Sequence, residues 1–233
     1  MIRIIQCRKG KDRMENAVMK KKAVIFDMDG VLIDSEPVYL QLFRDLLREN
    51  GCVIDEEKMR VLAGASGSRL RGTVAQMWKE KVTPEEMRRI YKERYADFRF
   101  PYRDAACPGI RPLLNWLKEE TYILALASSS SEEVIRQMLD ALELHGYFSH
   151  IISGKMFRES KPNPQIYQYT LSKLGLPAAD CLAVEDSTYG IQAAKAAGLQ
   201  VAAVKDDRFS FDQSQADWFL SKTADLKELL LHM

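Results

Sequence analysis

Of the 233 residues only four are cysteine and three are histidine, and no uninterrupted apolar run exceeds the stretch Tyr122–Ala127. The cysteines (Cys7, Cys52, Cys107 and Cys181) form no C-x-x-C pair. That spacing argues against a zinc site and against the cysteine framework of a small secreted domain. The Tyr122–Ala127 run is far shorter than the roughly 20 residues a membrane-spanning helix needs. Charge of one sign is also lacking: 34 Lys and Arg stand against 33 Asp and Glu. Such a balance argues against a dedicated nucleic-acid binder. The basic N-terminus has only Ile4-Ile5 where the apolar region of a secretory leader would stand. These absences predict a cytoplasmic globular protein with no nucleic-acid or membrane partner. With no long apolar stripe or heptad pattern, a monomer is expected.

What is present is ample apolar material, 46% of residues, with 29% charged. That suffices for a large core without disulfides or a structural metal. The charge is unevenly spread. Residues 1–22 carry eight basic side chains against Asp12 and Glu15, leaving 26 basic against 31 acidic in the rest of the chain. Residues 1–19 show no sustained hydrophobic periodicity and read as a disordered extension, with Met19 a natural start.

Ala23-Val24-Ile25-Phe26 ends abruptly in Asp27-Met28-Asp29-Gly30. A short continuous apolar run of this kind reads as a buried parallel strand with acidic residues at its carboxyl edge. Similar runs recur at Tyr122–Ala127, His150–Ser153, Cys181–Val184 and Gln200–Val204, separated by helical patterns at Ile110–Glu119, Glu132–Leu142, Pro164–Leu174 and Tyr189–Ala197. The alternation predicts an α/β fold with a parallel sheet. Between Asp34 and Asp104 it stops. That stretch holds helical patterns near Val38–Glu49, Glu56–Leu62, Arg69–Lys79 and Pro84–Phe98, and no strand. It predicts an inserted helical unit over 34–104, entered through a capping Asp34 or Ser35 followed by Glu36-Pro37. The α/β core then comprises 20–33 and 105–233.

Ligands of open parallel sheets bind beyond the carboxyl ends of the strands. The residues expected there are Asp27 and Asp29, the turn Ser128–Ser131, Lys161, and Glu185-Asp186. Several carboxylates gathered at one edge repel one another unless a cation joins them, and hard oxygen ligands without His or Cys favour Mg²⁺. A lysine opposite them supplies charge for a phosphoryl group, and the serine turn leading into a helix is a ready anion site. The set points to phosphoryl transfer.

Asp27-Met28-Asp29-Gly30-Val31-Leu32 resembles the first motif of the haloacid dehalogenase superfamily. Ser128 is similar to its second motif and Lys161, in Lys161-Pro162-Asn163-Pro164, to its third. Val184-Glu185-Asp186-Ser187-Thr188-Tyr189-Gly190 resembles the fourth. All four stand in the family's order. The resemblance implies a Rossmann-like core with a small all-α cap. It also implies Asp27 as nucleophile and Asp29 as general acid and then base. Phosphate would be bound by Ser128, Ser129 and Lys161, and Mg²⁺ by Asp27, Asp29, Glu185 and Asp186. It implies a phosphatase for a small phosphorylated metabolite, a sugar phosphate, acting through an aspartyl phosphate.

The cap in this family selects the substrate. Leu62-Ala63-Gly64-Ala65-Ser66-Gly67-Ser68-Arg69 resembles its specificity loop, which makes Ser66, Ser68, Arg69 and Tyr39 candidate substrate contacts. The alternative is a β-phosphoglucomutase-type isomerase. Mutases of that type have a histidine and an arginine where this sequence has Tyr39 and Gly67, with Arg69 close by. A phospho-accepting receiver domain would share acidic residues and a lysine on a parallel sheet, but would lack the helical insert.

Overall fold

The computed structural model describes residues 21–61, 67–78 and 82–233, with backbone alone at 60–61 and 67–71. The expected extension over 1–19, most of the candidate specificity loop and Ser66 lie outside the described residues.

Strands β1 (Ala23–Phe26), β2 (Ile123–Ser128), β3 (His150–Ser153), β4 (Cys181–Glu185), β5 (Gln200–Val204) and β6 (Trp218–Leu220) form one sheet in the order β3-β2-β1-β4-β5-β6. Every neighbouring pair is parallel. All carboxyl ends therefore face one edge. The chain order reverses between β1 and β4, and their register (Phe26 opposite Val184) delivers Asp27 and Glu185-Asp186 side by side at that switch point.

Burial on both faces explains why the strands read as unbroken apolar runs rather than alternating ones. On one face Ala23, Ile25, Ala125, Ala127, Ala183, Val201 and Ala203 pack with Ile166 and Tyr167 of α7 (Gln165–Leu174) and with Ile191, Ala193 and Ala194 of α8 (Thr188–Ala196). The small residues on these strands let those helices approach closely. Alternation sends Val24, Phe26, Leu124, Leu126, Leu182 and Val184, all buried, to the opposite face. Phe26 meets Phe148 there edge-on at 6.3 Å between ring centroids.

Helices α5 (Ile110–Glu119) and α6 (Glu132–Ala141) follow the expected spans closely. Serines start two of the helices that leave strand ends. Ser131 Oγ accepts from the Val134 amide at α6 and Ser187 Oγ from the Gly190 amide at α8, each satisfying a donor that the first turn leaves open. The sequence reading contains neither β6, three residues long, nor α9 (Leu226–Leu231).

The chain divides into two compact units: up to Asp34, with 102–206 and 211–233, and separately 35–101 with 207–210. The second is all-helical: α1 (Glu36–Glu49), α2 (Glu56–Val61), α3 (Gly67–Met77) and α4 (Pro84–Arg94). Glu36 and Pro37 open α1 as expected. Ser35 occupies the cap position in a helical backbone conformation and makes no side-chain cap bond, contrary to the expected capping. Thr83 and Glu86 form a full capping box at α4. Aromatic rings run through this unit, with Phe43 on Tyr91 at 4.6 Å and Tyr39 against Phe100 at 5.3 Å. The two chain passages that bound the insert lie together in the α/β unit, where Asp34 N–H donates to Ala105 O at 2.7 Å and Cys107 N–H to Leu32 O at 2.9 Å. Among the described residues no helix is long and apolar enough to cross a membrane.

Leu114, fully buried in α5, gives a direct measure of the core. Leu114→Ala should lower the unfolding free energy by about 2–5 kcal/mol through lost burial and the remaining cavity. Urea denaturation measures this, and a loss below about 1 kcal/mol would contradict close packing at that position.

Candidate active site

Beyond β1 the chain turns sharply. Leu32 N–H donates to Met28 O at 2.8 Å and Gly30 N–H to Ile33 O at 2.7 Å, folding Asp27–Ile33 into a compact loop at the sheet edge. Asp27 stays anchored to the sheet through its amide, which donates to Val184 O at 3.0 Å. Two glycines make room for carboxylates. Gly30 has φ +74°, and a Cβ there would strike the carboxylate of Asp186. A Cβ at Gly190 would strike that of Glu185. Both acids are thus seated against bare backbone.

Lys161 lies at the centre of this edge, 7% exposed at its side chain. Its ammonium donates to Asp27 Oδ1 at 2.7 Å, Glu185 Oε1 at 2.7 Å and Ala127 O at 3.0 Å, filling its three donor positions. The Tyr167 hydroxyl donates to the same Glu185 oxygen. The other oxygen of Glu185 accepts from the Asp186 amide at 3.3 Å. Asp27, Glu185 and Asp186, all buried, present carboxylate oxygens within 4.8 Å of one another. The donor set is hard and anionic, with no histidine or thiol, and so fits a hard divalent cation. The half-buried Gln213 side-chain amide, which donates to Asp186 O at 2.5 Å and Val204 O at 2.7 Å, ties the Asp186 backbone to the end of β5.

Electrostatics follow from this crowding. Burial first, against the pull of Lys161 and with Glu185 and Asp29 adding to it, raises the Asp27 carboxyl to about 7. Burial opposes the charge on Lys161, but Asp27 and Glu185 hold its ammonium well above the ordinary lysine value. Burial and then Glu185 raise the Tyr167 hydroxyl well above the usual phenol range, so it remains a donor.

At the end of β2, Ser128 is fully buried and its Oγ accepts from the Ser130 amide at 3.1 Å. Ser129 lies in the bend that follows, partly exposed. Asp29, also partly exposed, accepts at Oδ2 from Ser130 Oγ at 3.2 Å. The fold therefore gathers Asp27, Lys161, Glu185 and Asp186 in one cluster and joins Asp29 to the serine turn. The cap candidates are placed otherwise. Gly67, Ser68 and Arg69 are the first residues of helix α3 rather than part of a turn, so the expected loop is shorter by three residues. Tyr39 belongs to the aromatic packing of the helical unit.

Three contributors escaped the sequence reading. Tyr167 sits in an apolar helical stripe and looks like core. Gln213 comes from an irregular segment that carries no local signal. Ser153 ends β3, and the strand-edge rule applied to that strand would have singled it out.

The sequence model of the haloacid dehalogenase-like hydrolase family matches residues 24–204. This chain belongs to that family. It is similar to a phosphorylated carbohydrates phosphatase of Thermotoga maritima, 31% identical over 180 residues, which are 77% of this chain and 82% of that protein. It is also similar to a phosphoglycolate phosphatase of Aquifex aeolicus, 31% identical over 212 residues, which are 90% of this chain and 96% of that one. Among solved structures, CbbY from Rhodobacter sphaeroides in complex with phosphate superposes with a TM-score of 0.73 at 26% identity, covering 91% of this chain and 100% of that one.

Two outcomes test the cluster. Tyr167→Phe removes one donor from a fully buried carboxylate and should cost about 1–3 kcal/mol in urea denaturation; an unchanged midpoint would contradict its role. The second concerns pH. With Asp27 raised from 3.8 to about 7 in the fold, the folded state binds more protons than the unfolded state between those values. The contribution of Asp27 to stability therefore falls as pH rises through that window. In EDTA, the unfolding free energy of the wild type relative to Asp27→Asn should decline from pH 4 to pH 7; a flat or rising difference would contradict it.

Proposed function

We propose that this chain is a Mg²⁺-dependent phosphatase that hydrolyses a small phosphorylated metabolite, a sugar phosphate, through an aspartyl-phosphate intermediate on Asp27. The observation that carries this reading is the Lys161 ammonium on Asp27 Oδ1, within an acidic cluster at the sheet's switch point. A buried carboxylate held by one oxygen is oriented for attack, and its charge is balanced without being removed.

In the first step an oxygen of Asp27 forms a bond to phosphorus as the bond to the leaving oxygen breaks. Asp29 gives its proton to that oxygen. In the second step Asp29, now a carboxylate, takes a proton from water as the water oxygen attacks phosphorus, which releases phosphate and restores Asp27. Ser128, Ser129 and Lys161 receive the non-bridging oxygens; for Lys161 this means exchanging one of its present acceptors for phosphate. Mg²⁺ would be held by Asp27, the backbone carbonyl of Asp29, and Asp186, with Glu185 beside it. It would supply positive charge to the phosphoryl oxygens. Both oxygens of Glu185 already accept hydrogen bonds, which suits it to hold Lys161 and the Asp186 backbone in place.

The two phosphatase relatives, one of phosphorylated carbohydrates and one of phosphoglycolate, support the enzyme class, phosphoric monoester hydrolase, and a small anionic substrate. The reading takes the chain as a cytoplasmic monomer.

A panel of hexose, pentose and polyol phosphates together with phosphoglycolate, assayed for released phosphate with Mg²⁺ and with EDTA, tests the proposal. Turnover should require the cation, and Asp27→Asn should lower kcat/KM on the order of a thousandfold or more. β-Glucose 1-phosphate should yield free phosphate. Near-wild-type turnover by Asp27→Asn, or glucose 6-phosphate as the product, would overturn it.

A further inference from the structure

Four consecutive serines, Ser128 to Ser131, follow β2, and their side chains do different things. Ser128 Oγ accepts from the Ser130 amide. Ser131 caps α6. Ser130 Oγ turns the other way, across to β1, and donates to Asp29 Oδ2 at 3.2 Å. The Ser130 peptide is held at both ends. Its N–H is on Ser128 Oγ at 3.1 Å, and its carbonyl accepts from Ser153 Oγ at 2.6 Å. Ser153 is itself buried at the end of β3, in register with Ser128, and its Oγ also accepts from the Lys155 amide at 3.2 Å. The Cα that carries the Ser130 hydroxyl is thereby held in place beside Asp29.

We propose that Ser130 is a positioning residue for the general acid: its hydroxyl holds Asp29 at Oδ2 and so orients the carboxyl group toward the leaving oxygen. This rests on the reading of Asp29 as the acid. As the phosphorus–oxygen bond breaks, the electron pair goes to the leaving oxygen and the Asp29 proton follows it. The negative charge left on Asp29 spreads onto Oδ2. The Ser130 hydrogen bond then becomes charge-assisted, and so is stronger in the transition state than in the ground state. In the second step the same bond holds the Asp29 carboxylate in place as it takes a proton from water.

The signature is dependence on the leaving group, which a merely structural role would not produce. Expulsion of an alkoxide requires protonation, whereas p-nitrophenolate leaves with little help. kcat/KM reports the first step alone, so it is compared for p-nitrophenyl phosphate, phenyl phosphate and the best sugar phosphate. Ser130→Ala should lower it roughly tenfold to a hundredfold for the sugar phosphate and only about threefold or less for p-nitrophenyl phosphate. Ser130→Thr, which keeps the hydroxyl, should restore most of the loss. Asp29→Ala should show the same selectivity at larger size, on the order of 10²–10⁴-fold for the sugar phosphate. Ser153→Ala, which loosens the Ser130 peptide, should show a weaker version of the pattern and gives a second reading if Ser130→Ala folds poorly. An equal loss on all three substrates in Ser130→Ala, with Asp29→Ala still selective, would overturn the role of Ser130. A loss in Asp29→Ala that is independent of the leaving group would instead overturn the acid assignment itself.

Discussion

One ammonium group carries the catalytic edge of this protein. A parallel sheet with its switch point between β1 and β4 forces Asp27, Glu185 and Asp186 together, and three buried carboxylates cannot share so small a volume unaided. Lys161 stands between two of them at 2.7 Å each. Burying a lone charge costs several kcal/mol, while a paired and fully hydrogen-bonded one is tolerated. The arrangement is therefore all or nothing: removing the lysine leaves the acids unpaired, and removing an acid leaves the lysine with a vacant donor. Tyr167, Ala127 O and the Asp186 amide complete the pairing. Among the described residues, no buried side-chain polar atom lacks a hydrogen-bond partner.

The same constraint accounts for features with no chemistry of their own. Gly30 and Gly190 are the sites where a single methyl group would collide with an acid of the cluster. Gln213, far along the chain, holds the backbone of Asp186. The alanines of β2 admit α7 close to the sheet, and with it the Tyr167 hydroxyl reaches Glu185. Packing and electrostatics are solved by the same residues here.

Much of this was legible in the chain, because burial on both faces makes parallel strands read as continuous apolar runs and because each run ended in a polar group. Asp27 and Asp186 announced themselves in that way, and Lys161 through the Lys161-Pro162-Asn163-Pro164 motif in the loop after β3. What escaped had physical reasons. Strand β6 is three residues long, below the reach of periodicity. Helix α3 begins two residues before its apolar pattern, so Gly67 was assigned to a turn. Tyr167 is apolar in its ring and polar only at its tip, and a helical stripe shows the ring. The serine run is the sharpest case, since four identical letters carry four environments. Only the register of β2 with β3 and the loop after β1 assigns the donor on Asp29 to Ser130 and the hold on its peptide to Ser153.

Every step of the proposed reaction depends on covalent chemistry at Asp27. The direct test uses the Asp29→Asn enzyme with Mg²⁺ and p-nitrophenyl phosphate. That leaving group departs without an acid, while hydrolysis of the intermediate lacks its base. Acid quenching, digestion and mass spectrometry should then find the phosphoryl group on Asp27, together with a burst of p-nitrophenol matching the enzyme concentration. A burst with the phosphoryl group on another residue, or steady release of phosphate with no covalent adduct at any time, would contradict it.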